Sequence, residues 1–185
     1  MKKQLIGLLY VAVILLGLTA CQSSTEEQLV GVWRYTNVQS AGNSTATLNG
    51  TAEINKDGSY SDNGELTVTG TTEEEGVEVK VKMGFSVRIR GTWTLSDKDL
   101  VMSPNSSGFK ITYMKYYDPS DDSYLGELTG DEIKQAYSDD FVREINATLN
   151  AASTERIMML TENKFVTEST DEDGGKSTIT YNRLR

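Results

Sequence analysis

The groups best supplied for chemistry in this 185-residue chain are carboxylates, with 27 Asp and Glu against 18 Lys and Arg and no histidine. Without an imidazole, Ser-His-Asp and Cys-His mechanisms and the usual zinc sites are excluded. A carboxylate pair could in principle hydrolyse a glycoside. So many acids guarantee chance pairs, however, and none stands in a recognisable motif. Asp118, Asp121 and Asp122 offer oxygens to calcium, but their spacing fits no calcium loop and lacks the terminal ligand. Glu73-Glu74-Glu75-Gly76 reads as a hairpin tip, and Asp171 to Lys176 as a wide acidic turn. There is no phosphate-binding glycine loop. The residues therefore predict no enzyme, no metal and no cofactor. Five methionines and eight tyrosines follow residue 20. Such soft, amphipathic side chains suit either a ligand site or a core. The methionines fall mostly within expected strands, which favours core packing.

Cys21 is the one cysteine, and what precedes it gives it a role. Lys2 and Lys3 are followed by an apolar run from Leu5 to Leu18, shorter than the roughly 20 residues of a membrane-crossing helix. Leu18-Thr19-Ala20-Cys21 then resembles a bacterial lipobox, which implies cleavage before Cys21 and acylation of its sulfur. The expectation is a signal peptide over 1–20, a lipidated tether over 21–28 and one domain over 29–185. The resemblance implies export and attachment to the outer membrane through acyl chains on Cys21, since Gln22 stands where an aspartate would retain the protein at the inner membrane. No disulfide can form within the chain, so its core alone must hold the domain. After cleavage, 16 basic and 27 acidic residues remain, a net charge of −11. That balance argues against nucleic acid and against electrostatic binding to anionic lipid.

The elements that must position everything else are strands. From Val77 to Leu95 apolar residues hold the odd positions, broken only by Gly91, while Lys, Arg, Thr and Glu dominate the even ones. This is period-two alternation for a sheet with one buried face. A strand of that length must bend, and Gly84 and Gly91 are the expected bulge sites. Leu29 to Val38 begins the domain. Lys56-Asp57-Gly58 signals a tight turn, and Asn63-Gly64 a second turn or bulge. Placing Thr72 opposite Val77 brings Val68 to Val81 and Leu66 to Met83. At the next turn Leu95 faces Leu100 and Trp93 faces Met102. Ser103 to Gly108 reads as a loop.

One long amphipathic helix is expected near residues 130–152, opened by Thr129 with Glu132 three positions on, a capping box. Ile133, Ala136, Tyr137, Phe141, Ile145, Thr148, Leu149 and Ala152 mark one stripe at helical spacing. Seven strands precede it and three follow. The fold class predicted is all-β, an antiparallel up-and-down barrel of about 8–10 strands.

Gly31-Val32-Trp33 near the start, Gly91-Thr92-Trp93 in the long strand and Thr180-Tyr181-Asn182-Arg183 at the end resemble the bacterial lipocalin-like lipoproteins. The resemblance implies a barrel whose floor is closed by Trp33, with Arg183 packed over it. Gly31, Trp33, Gly91, Trp93 and Arg183 are then structural motif positions. It further implies a small apolar or amphipathic ligand. The competing expectation is a structural module with a solid barrel core that contacts an envelope protein partner.

Overall fold

A computed structural model describes residues 24–184, apart from 75, 137–142, 144, 148 and 171–174. The expected signal segment and Cys21 lie outside the described residues.

Strand β4 (Val77–Ser96, 20 residues) is the longest element, flanked by β3 (Ser59–Glu74) and β5 (Asp99–Tyr117). Its pairing with β5 shifts between Gly84 and Phe85 and again between Arg90 and Gly91, but the extra residues, Thr112 and Asn105, lie in β5, while the two glycines expected to carry the bulges stay in unbroken register with β3. Gly91 also admits a close approach. A Cβ there would sit 2.2 Å from the Ser103 carbonyl and 2.7 Å from the Tyr60 ring.

The remaining strands are β1 (Gly31–Ala41), β2 (Ser44–Ile54), β6 (Tyr124–Leu128), β7 (Ser153–Leu160), β8 (Lys164–Thr170) and β9 (Lys176–Arg183). All pair antiparallel, in the order β4-β3-β2-β1-β9-β8-β7-β5, and β5 returns to β4. Eight strands thus close a barrel, and β6 is appended to β5. Closure is uneven along the axis. At one end β5 pairs β7 through Asp99–Met102, and at the other it pairs β6 through Met114–Tyr117. Strands β1 and β9 pair only from Trp33 to Thr36. The barrel is complete at the first end and opens toward the second, where β3, β4 and β5 extend beyond the rest.

Two short helices accompany the sheet. Helix α1 (Thr25–Leu29) starts on a reciprocal capping box between Ser24 and Glu27 and delivers Leu29, fully buried, into the barrel floor. Helix α2 (Asp131–Ala136) buries Ile133 against Phe85 and Ile111. The long helix near 130–152 is not seen. The structure shows the six residues of α2 and further helical positions at 143, 145–147 and 149. Residues 137–142, 144 and 148, which include Tyr137, Phe141 and Thr148 of the expected stripe, lie outside the described residues. Two contacts tie the described part of this stretch to the barrel. Ile133 fills the second core, and Ser107 on β5 donates to the Asn146 carbonyl at 3.3 Å, between the parts of β5 covered by β7 and β6.

Three other expectations are corrected. The β3–β4 hairpin is two residues tighter, so Val68 faces Met83 and Leu66 faces Phe85. The reason is Gly76, whose φ of 81° allows a turn too short for other residues. A shift of two preserves which face is buried and changes only the partners. Asn63-Gly64 is neither turn nor bulge but the middle of β3. Ser103–Gly108 is strand, paired to β4 through Ser106 and Ser107. Polar composition suggested a loop, but a strand needs only a partner for its backbone. At the following turn Leu95 does face Leu100, and Trp93 faces Met102.

Candidate functional site

The residues inside the barrel form layers. At the closed end the floor is apolar. Trp33, Ile54, Leu100 and Phe165 are at most 1% exposed. Trp33 and Phe165 meet edge to face at 4.7 Å, and Phe165 stacks on Tyr181 at 4.1 Å. The Trp33 indole donates to the Leu29 carbonyl at 2.7 Å, tying α1 to the floor.

Arg183, directly paired with Trp33 across β9 and β1, lies 4.0 Å over its ring. Its guanidinium also donates to the carbonyls of Val30 (2.9 Å), Gln28 (2.6 Å) and Glu162. Arg183 therefore clamps the entering chain to the β7–β8 turn. Gly31 makes room for it. A Cβ at Gly31 would fall 2.2 Å from Arg183 Nη1, and its φ of 154° disfavours other residues. Gly91 and Trp93 stand apart from that clamp, on β4. There the Trp93 indole donates to the Asn55 carbonyl at 2.9 Å and holds the β2–β3 turn.

Above the floor comes a polar layer. The Tyr35 hydroxyl donates to Asp62, 2.9 and 2.8 Å from its two carboxylate oxygens. Across the barrel, Thr167 and Tyr181 hydrogen-bond Glu155, whose Oε2 is buried without a partner. Desolvation pushes the Asp62 carboxyl up to about 6; the Tyr35 hydrogen bond opposes that rise and the Glu155 charge adds to it. Glu155 is also raised by burial, against the pull of its two hydroxyl partners. Both tyrosines are raised, first by burial and then by the nearby carboxylates, so they stay neutral donors. The arrangement makes both acids hold their protons to higher pH than exposed carboxyls do. Gly50 completes it, because a Cβ there would lie 2.3 Å from the Tyr35 hydroxyl.

At the open end the interior turns apolar again. Phe85, Ile111 and Ile133 form a second core, with Leu66, Val68, Met83, Phe109 and Leu128 half-buried around it. Beside it lies a cavity of about 280 Å³ lined chiefly by Val68, Val81, Met83 and Met114, with Ser44, Thr71 and Thr72 at its polar side. It is six residues along β3 from Asp62, roughly 20 Å.

Asp62 and Glu155 were not among the sequence-derived candidates. A signal was present, since each shares strand parity with apolar residues, Asp62 with Tyr60 and Glu155 with Ile157. Of the acidic clusters in the sequence, Asp118, Asp121 and Asp122 lie at the surface. Asp118 accepts from the Ser120 amide and hydroxyl, and Asp122 pairs with Lys80 at 2.6 Å. Residues 171–174 lie outside the described residues. Among the described residues no three Asp, Glu or Cys side chains converge to hold a metal, and no helix is long and apolar enough to cross a membrane. Compared with known proteins, the chain matches no family model and no curated protein.

Proposed function

We propose that this protein is a lipid-anchored envelope lipoprotein of the lipocalin-like kind, which binds a small apolar or amphipathic ligand at the open end of its barrel. The observation that carries the reading is the cavity bounded by Val68, Val81, Met83 and Met114. Valine and methionine walls with hydroxyls at one side suit a molecule that is apolar along its length and polar at one end. The closed floor supports the same placement, since Trp33, Leu100 and Phe165 fill the space a deeper ligand would need. That solid floor equally favours the second reading, a structural module contacting an envelope partner.

Acylation at Cys21 would also orient the molecule. Cys21 lies three residues before Ser24, at most about 11 Å of chain, and α1 is tied to the floor through Trp33 and Arg183. The floor would then face the membrane and the cavity would open away from it.

Native mass spectrometry of the protein purified from its own cells tests the ligand reading. A co-purifying small molecule, lost when Val81→Trp fills the cavity, is the expected result. An empty wild-type protein that also fails to take up an apolar fluorescent probe would leave the structural module. Cys21→Ser should separately release the protein from membranes, and a variant still pelleting after a salt wash would overturn the anchor.

A further inference from the structure

The outer face of the barrel carries a groove of about 380 Å³ that crosses β1, β2, β3 and β4. Its floor follows one register row, Tyr35–Gly50–Gly64–Val87, whose side chains point inward or are absent. The row on one side is Arg34–Thr51–Asn63–Arg88, and on the other Thr36–Asn49–Glu65–Ser86. The two arginines thus stand at opposite ends of one wall, three strand spacings or about 14 Å apart. Both are exposed, and neither makes a hydrogen bond or ion pair among the described residues. Lys110 continues the opposite wall beyond Ser86. Glu65 is the one carboxylate in the two walls. The next row toward the barrel floor adds Glu53 and Arg90, which offset each other. A chain of net charge −9 therefore gathers an excess of positive charge along this groove.

We propose that this groove binds an acidic oligosaccharide, with Arg34 and Arg88 each taking a carboxylate and the walls taking hydroxyls. The planar fork of arginine suits a carboxylate, and an unpaired guanidinium has no internal partner to give up. Thr51, Asn63 and Ser86 offer both donors and acceptors, as a polyhydroxylated chain requires, while Thr36, which donates to Asn49 Oδ1 at 2.7 Å, keeps an acceptor and Asn49 its amide donors. An acidic peptide fits less well. Arginine clusters do take acidic peptide motifs, but peptides gain most of their affinity from a free sheet edge or from apolar pockets, whereas here every crossed strand is already paired and the walls offer hydroxyls and amides with no apolar side chain. The site lies outside the barrel and does not depend on the ligand cavity.

The test uses the purified full-length chain with tetragalacturonate as probe and maltotetraose as its neutral counterpart, followed by calorimetry and ligand-observed NMR. Tetragalacturonate should bind and weaken as salt rises, while maltotetraose should bind at least tenfold more weakly. Arg34→Gln and Arg88→Gln should each weaken binding by about tenfold. Glu65→Gln should tighten it a few-fold, and Val81→Trp should leave it unchanged. Because both arginines are exposed on separate strands, either variant alone serves if the other fails to fold. The proposal is overturned by any of three results: no binding of tetragalacturonate at millimolar concentration, equal binding of maltotetraose, or binding indifferent to both arginines. Acetate competing as well as tetragalacturonate would also overturn it, leaving only a simple anion site.

Discussion

Strands β3, β4 and β5 run through both ends of this barrel with the same alternation, yet the two ends differ in how far that pattern is buried. Near the closed end Trp93, Leu100 and Met102 are enclosed, because β7, β8, β9 and β1 complete the wall opposite them. Near the open end Val81 and Met83 hold equivalent inward positions and remain half-exposed. There β1 and β2 still run beside the three long strands, but β1 no longer pairs β9 beyond Thr36, so the opposite wall is incomplete and β6 and α2 cover only part of the gap. Alternation selects a face, but the number of neighbouring strands decides how deeply that face is buried. The closed end is thereby suited to hold the structure together, and the open end to receive something.

The sharpest test of this contrast is a pair of truncations. Leu100→Ala should cost about 3–4 kcal/mol in urea unfolding, since it opens a void in a full core. Met83→Ala should cost under about 1.5 kcal/mol, because its side chain borders a cavity that already exists. Equal losses would show that the open end is packed as tightly as the floor.

Next comes the clamp. Arg183→Ala strands three carbonyl partners and should cost about 3 kcal/mol. Its coupling to Trp33, measured by a double-mutant cycle with Trp33→Leu, should be about 1 kcal/mol, as expected for a partly desolvated cation over a ring. Coupling near zero would mean that the ring contact contributes nothing and the carbonyls hold the arginine alone.

The polar layer between the ends gives a pH dependence. The Asp62 pKa is raised in the folded state, so its contribution favours folding below the unfolded value near 4 and fades as pH rises through about 6. The barrel should lose about 2 kcal/mol between pH 4 and pH 7.5 from this group, allowing for partial exposure. Glu155 acts in the same direction. Asp62→Asn should flatten the profile, and a wild-type stability that climbs across this range would contradict the burial of the pair. The smallest effect belongs outside both ends. Met158, 57% exposed on β7, should tolerate Met158→Ser within about 0.5 kcal/mol by thermal melt.

How much of this was legible beforehand differs by kind of feature. Register breaks beside Gly84 and Gly91 could be read because a twenty-residue strand cannot stay straight in a small barrel, but their extra residues fall in β5, since a bulge can be taken up by either partner. The pairing of Leu95 with Leu100 could be read because the intervening turn is short and polar. The register of the β3–β4 hairpin was missed by two residues, since parity is blind to even shifts. The polar layer was less visible still. Asp62 and Glu155 are 93 residues apart, on strands that meet only through closure, and each looked like one more acid among many.

Composition and periodicity were enough for an antiparallel, one-sided sheet without histidine chemistry, because alternation and residue type are local properties of the chain. The depth of each layer, the encounter of Asp62 with Glu155 across the barrel, and the ladder of Arg34, Thr51, Asn63 and Arg88 on its outside are not local. They depend on which strands become neighbours and in what register, and backbone hydrogen bonding, nearly indifferent to side chains, settles that only when the whole barrel closes.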